Sequence, residues 1–197
     1  MSVSRQSAAA RSRENTRGRL HTSGVQLFAQ HGLNGVTTHD IALEAGVATG
    51  TFYLHFSDKS ALFHEIAIDT EARLRTHIDD ATAYAADLRG AVRAEVEALF
   101  DFATQNRDTI RILFGRDSGA AGSQLLEAFA TSIAEARRRA IASGEMPHEI
   151  EPSVLSQALV GMLSRVLLWW IEDPDPVARE TVIETLTRIQ LSGTHPV

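Results

Sequence analysis

Four side chains that give or take hydrogen bonds, Thr49, Thr51, Tyr53 and His55, fall within seven residues, and Lys59 follows close behind. They are not arranged for bond-making chemistry. The chain holds no Gly-x-Ser-x-Gly turn, no phosphate-cradling glycine loop and no His-Glu-x-x-His pair. Its eight histidines are scattered, and it has no cysteine, which excludes disulfides, thiolate metal sites and cysteine nucleophiles. Neither catalysis nor a cofactor or metal is therefore expected. Hydroxyls, a phenol, an imidazole and an ammonium displayed together suit recognition of phosphate oxygens and base edges.

Such a cluster needs a rigid mount. A short helix is expected to open at Thr37 or Thr38, where a hydroxyl can satisfy a free amide, with Asp40 in its first turn and its end at Ala45-Gly46. A second short helix covers about Thr49 to His55 and carries the polar face. Ile41, Ala42, Ala45, Val47 and Phe52 are spaced to pack the two together, and Ala42 and Gly46 are small where the helices must come close. A short helix held this way is what the DNA major groove admits. Phe52 and Phe56 read as core. A longer helix follows Ser57 as its cap and carries Leu62, Phe63, Ile66, Leu74 and Ile78. Upstream, a helix from about Ser12 to His31 places Leu20, Gly24, Leu27 and Phe28 on one face, capped by Gly32. The first ten residues are expected to be a mobile tail.

At these residues the sequence resembles the TetR family. The matching pattern is Thr37-Thr38, Ala45-Gly46-Val47, Gly50-Thr51-Phe52-Tyr53-Leu54-His55-Phe56 and Lys59-Ser60-Ala61-Leu62, with Leu27-Phe28-Ala29 and Gly32 upstream. The resemblance covers about a quarter of the chain. It implies an all-α fold of about nine helices, with a helix-turn-helix DNA-binding domain over residues 1–57 and a larger ligand-binding and dimerisation bundle over 58–197. It implies that Thr37 and Thr38 contact phosphate with His39 beside them, that Thr49, Gly50 and Thr51 approach the groove, and that Tyr53, His55 and Lys59 reach the backbone. Arg11, Arg13 and Arg17 would add contacts from the N-terminal side. The chain departs from the family pattern at Ala48, where many members have a capping serine; Thr49 is expected to take over that cap. It also departs at Ser60 and at His39.

The charge distribution agrees. The net charge is −6, yet residues 1–60 carry six basic and four acidic groups, so a basic head sits on an acidic body. The run Arg137-Arg138-Arg139 reads as a solvated helix face. No apolar run approaches the roughly 18 residues of a membrane span, and with no export signal a cytoplasmic location is expected.

After residue 80 the chain reads as longer helices: Asp87 to Ala103, Asp108 to Arg116, Ser123 to Ala142, Pro152 to Ile171, and a last one opened by Asp175-Pro176 and running to about Leu191. The glycine-rich stretch 115–122 reads as a loop. The helix holding Leu155, Ala158, Leu159, Met162, Val166 and Trp169 is apolar nearly all round. The family resemblance implies that it and the last helix (Val182, Leu186, Ile189) pair with their copies in a homodimer. It also implies a cavity for a small-molecule effector. Candidate lining residues are Leu99, Phe100, Ala103, Leu113, Phe114, Phe129, Ile133, Met162 and Trp169, with Arg111, Gln157 and Arg165 available to a polar head. The expected function is a regulator, a repressor released from a palindromic operator by a largely hydrophobic ligand. The alternatives are a ligand-independent regulator or activator, or a helical ligand-binding protein with a vestigial DNA-binding module.

Overall fold

In a computed structural model, residues 2–115, 118–144, 150–172 and 177–192 are described, and among them the fold is all-α. The helices are α1 (Ser2–His31), α2 (Thr38–Glu44), α3 (Thr49–Phe52), α4 (Lys59–Thr82), α5 (Leu88–Gln105), α6 (Arg107–Phe114), α7 (Gly119–Ala142), α8 (Pro152–Glu172) and α9 (Arg179–Ser192). Their termini follow local chemistry. The Asp58 carboxylate accepts from the Ala61 amide at 2.8 Å and Asp87 from Gly90 at 2.7 Å, each satisfying an amide with no helical partner. Gly32, Gly46 and Gly144 take φ of +69°, +66° and +80°, the left-handed turn that ends a helix.

Several boundaries differ from the sequence reading. Helix α1 starts at Ser2, ten residues before the expected start, through the stretch taken for a tail. That segment lacks proline and glycine and includes Ala8-Ala9-Ala10, a strong helix former. The cap of α4 is Asp58 and not Ser57. The stretch expected to be a loop enters α7 at Gly119. Gly122 is there for contact: a Cβ on it would lie 2.4 Å from the Leu113 carbonyl oxygen. The expected Asp175-Pro176 cap lies outside the described residues, as does Arg116.

Two apolar clusters run through the molecule. The first joins Leu20, Phe28, Ile41, Ala42, Phe52 and Phe56 to Leu62, Phe63 and Ile66 of α4, and continues onto Ile112 and Leu113 of α6 and Leu125 of α7. It therefore crosses the boundary expected at residues 57/58. Phe28 and Phe63 meet edge to face at 5.6 Å, and both are almost fully buried. Each such ring contributes roughly 2–3 kcal/mol by leaving water. The second cluster joins Leu74 of α4 to Val96, Phe100 and Ala103 of α5, to Leu163, Leu167 and Ile171 of α8, and to Val182, Ile183 and Leu186 of α9. Helix α4 belongs to both.

Helix α8 is long and apolar enough to cross a membrane by length and composition, which counting uninterrupted apolar runs did not reveal. Its inward residues, Leu159, Leu163, Leu167 and Ile171, pack against the chain's other helices.

Candidate DNA-binding head and effector cavity

The head is fixed by polar contacts as well as by its core. Thr37 caps α2 in a reciprocal box: its hydroxyl oxygen accepts from the Asp40 amide at 3.2 Å, and the Asp40 carboxylate accepts from the Thr37 amide at 2.9 Å. Hydrogen bonds from the Thr37 hydroxyl and amide hold the exposed Asp40 carboxyl below its ordinary pKa. Between α2 and the reading segment, the hydroxyls of Thr38 and Tyr53 share a hydrogen bond of 3.0 Å, and His39 Nδ1 lies 3.0 Å from Thr49 Oγ1. These bonds set the register of the two helices at the surface.

Helix α3 itself is a single turn, Thr49–Phe52, closed by the turn through His55. Ala48 occupies its N-cap with no side-chain bond. Thr49 does not take over that cap, because its hydroxyl faces His39 instead. Gly46 is exposed, and its glycine serves the left-handed φ and not close helix packing: a Cβ would meet only an Arg19 nitrogen, at 3.8 Å.

The expected DNA-contacting residues divide into two groups. Thr37, His39, Gly50 and Tyr53 are exposed, and Thr38, Thr49 and Thr51 are partly so; the Thr38–Tyr53 and His39–Thr49 bonds join the two helices there. Lys59, Arg17 and Arg13 instead face the protein. The Lys59 ammonium donates to the carbonyls of Leu33 and Val36, at 2.8 Å each. Arg17 pairs with Glu65, donates to the His55 carbonyl at 3.3 Å, and lies over the Phe56 ring at 4.7 Å. Arg13 and Arg11 are both exposed, and the Arg13 guanidinium donates to the Leu54 carbonyl at 3.4 Å. His55 is half-buried. Its Nδ1 has no hydrogen-bond partner among the described residues, and burial, reinforced by Arg13 and Arg17, lowers its pKa.

In the C-terminal bundle a small cavity of roughly 70 Å³ lies among α4, α5, α7 and α8, with Phe114 of α6 at its edge. Four of the nine candidate lining residues, Leu99, Phe114, Phe129 and Ile133, face it. Phe100, Ala103 and Leu113 do not; they are fully buried in the packed core. Met162 is packed at the edge of the second cluster, and Trp169 is 39% exposed on the outer face of α8. Arg111 and Arg165 are exposed away from the cavity, and Gln157 donates to Glu127 on the surface. The sequence reading missed Glu95, whose side chain faces the cavity. The available signal was its place in the row Leu88, Val92, Glu95, Leu99, one carboxylate on an apolar helical stripe.

Of the expected interface residues, Leu159, Val182 and Leu186 are buried in this chain's own core. Leu155, Met162 and Val166 are partly buried, while Ala158 and Ile189 face outward.

Residues 22–66 match the family model for the bacterial regulatory proteins of the tetR family. The HTH-type transcriptional activator FasR of Mycolicibacterium smegmatis is 24% identical over 187 residues, covering 92% of this chain and 84% of that protein. The probable acrEF/envCD operon repressor of Escherichia coli is 43% identical over 51 residues, which cover 26% of this chain and 23% of that repressor. The fold matches a crystal structure of the regulator FadR from Bacillus subtilis in complex with stearoyl-CoA, with a TM-score of 0.74 at 16% identity, covering 90% of this chain and 98% of that one. The segment 22–66 is thus a tetR-family helix-turn-helix, seated on a frame of nine helices among the described residues that shares its fold with TetR-family regulators.

Proposed function

We propose that this regulator binds a near-palindromic operator as a homodimer and represses transcription until a small hydrophobic effector releases it. The observation that carries the reading is the exposed hydroxyl and phenol surface of Thr37, Thr38, Thr49, Thr51 and Tyr53, held in register by the Thr38–Tyr53 and His39–Thr49 bonds. Positioned donors of this kind fix register on phosphates and reach base edges without reorganisation on binding. The ammonium of Lys59 sets the head from within, so the phosphate contacts fall to the hydroxyls, to Tyr53 and to Arg11.

Dimer formation uses the outward stripe of α8, Val154, Ala158, Gly161, Arg165 and Trp169, beside Ile189 of α9. A Cβ on Gly161 would meet nothing within 4 Å, so this face is open in the single chain and small enough for a second helix to come close. Two heads related by a two-fold axis then address half-sites about 34–36 Å apart. The effector acts by binding one arrangement of the bundle better than the other. No turnover is involved, and the site of action is the cytoplasm, where the operator is.

The test is footprinting of the purified chain on fragments of its own genome, followed by titration of the protected fragment. The expected result is an inverted repeat, with Tyr53→Ala and Thr51→Ala each weakening binding at least about tenfold while the melting temperature holds. Absence of any protected fragment at moderate salt would overturn the reading. A reporter gene then gives the sign: expression that rises with operator occupancy would replace repression by activation.

A further inference from the structure

The cavity wall is apolar except at two places. Ser164 is one, and its hydroxyl donates to the Val160 carbonyl of its own helix at 2.6 Å. Glu95 is the other. Its side chain lines both the inner cavity and an open groove of about 530 Å³ outside it, where Ile78, Phe129 and Ile133 also belong to both. The two spaces adjoin along these four residues and together outline a path, with Glu95 where they meet.

The charged groups on this path are placed unevenly. On α4, Arg75 is occupied by Glu71 and by the Ser132 hydroxyl at 2.9 Å, and Asp79 adds a second negative charge. On α7, Arg137 and Arg139 line the outer groove and do not reach the inner cavity. Arg137 attracts Glu95 electrostatically, and no ion pair joins them among the described residues. Burial dominates and raises the pKa of Glu95. Glu95 is itself only partly buried, at the edge between cavity and groove, and a carboxylate against so apolar a wall gains from a cationic donor.

We propose that this path takes a hydrophobic amine, whose ammonium donates to Glu95 while its apolar body enters between Leu99, Phe129 and Leu163. The proposal rests on the reading of the bundle as an effector-binding domain and names the ligand class. It separates this chain from the fold-related regulator solved with stearoyl-CoA. A fatty-acyl anion carried inward would bring its negative charge past Glu95. As it stands the inner cavity is far smaller than the roughly 300–1,000 Å³ of a ligand pocket. The amine's body must therefore part α5 from α7 along the groove or remain partly within it.

Calorimetric titration of the full chain with octylamine, octanol and octanoate tests the idea, because the three probes share one body and differ in head. Octylamine should bind about ten- to hundredfold more tightly than octanol, the range of one charge-assisted hydrogen bond, and octanoate most weakly. In Glu95→Gln the preference for octylamine over octanol should collapse to within about threefold, with octanol affinity retained. Far-UV dichroism checks that this near-isosteric variant is folded. Octanol or octanoate binding as tightly as octylamine would overturn the amine assignment and leave the bundle an effector domain. Equal preference in Glu95→Gln would also overturn it. Binding of none of the three would remove both the assignment and the cavity as an effector site.

Discussion

The Lys59 ammonium lies 2.8 Å from the carbonyl oxygen of Val36, and the same group meets Leu33 at the same distance. One side chain from the first turn of α4 thus closes the loop between α1 and α2. Replacing it leaves two loop carbonyls without their charged donor. Lys59→Met should lose roughly 2 kcal/mol in urea denaturation, since hydrogen bonds to a charged group are worth about 1.5–3 kcal/mol each and this one is partly solvated. A change below about 0.5 kcal/mol would show that the loop does not depend on Lys59.

Gly24 on α1 faces Leu62 and Ile66 of α4, both fully buried. A methyl there would stand 2.7 Å from a Leu62 methyl carbon. Alanine gains about 1 kcal/mol of helix propensity over glycine, while overpacking a closed core costs about 1–3 kcal/mol. Gly24→Ala should therefore be destabilising by roughly 1 kcal/mol. Gly18→Ala, with nothing within 4 Å, should be stabilising by about 0.5–1 kcal/mol. Thermal melts of the pair check the contrast, and a stabilised Gly24→Ala would refute close packing at α1–α4.

Burial lowers the pKa of His21 and of His55 from 6.5, and each has one ring nitrogen without a hydrogen-bond partner among the described residues. The fold favours the neutral rings. Their contribution is fully present above 6.5 and is lost as pH falls from there through the lowered folded values. The head should loosen in mild acid before the carboxylates titrate. A His21→Gln, His55→Gln double variant should show a flatter stability profile between neutral pH and pH ~5. An unchanged slope in that window would place the acid sensitivity elsewhere.

For Glu95 the sign is reversed. Its pKa is raised above 4.5 by burial, so the folded chain carries no penalty below that value and an increasing one as pH rises through the folded pKa. Glu95→Gln should melt higher than the natural chain at neutral pH and equally with it below 4.5. A variant that melts lower at neutral pH would show that the carboxylate has a stabilising partner.

The head was legible in the sequence because its signals are local. Caps, glycine turns and the alternation of Ile41, Ala42, Ala45 and Phe52 each lie within one turn of what they determine. The partners of Arg17 and Lys59 were not legible. Glu65 is 48 residues from Arg17, and Val36 is 23 from Lys59, and no spacing rule links a cation on one helix to a loop carbonyl on another. The bundle cavity was half legible for the same reason. Helical spacing shows which residues are apolar, but Phe100 and Leu99 are neighbours on α5 that face a solid core and an open space respectively. Helical spacing likewise did not show that Val182 and Leu186 pack into this chain's own core.

Helix α4 runs for 24 residues with neither glycine nor proline, about 36 Å end to end. Phe63 and Ile66 anchor one end among the head helices, and Leu74 and Ile78 line the bundle cavity at the other. An axle of this kind has no joint within it. Any swing of one end, pivoting near Thr70, must appear at the other in the opposite direction, so a wedge of an ångström or two beside Leu74 would shift Lys59, and with it the pitch at which the reading surface meets a duplex.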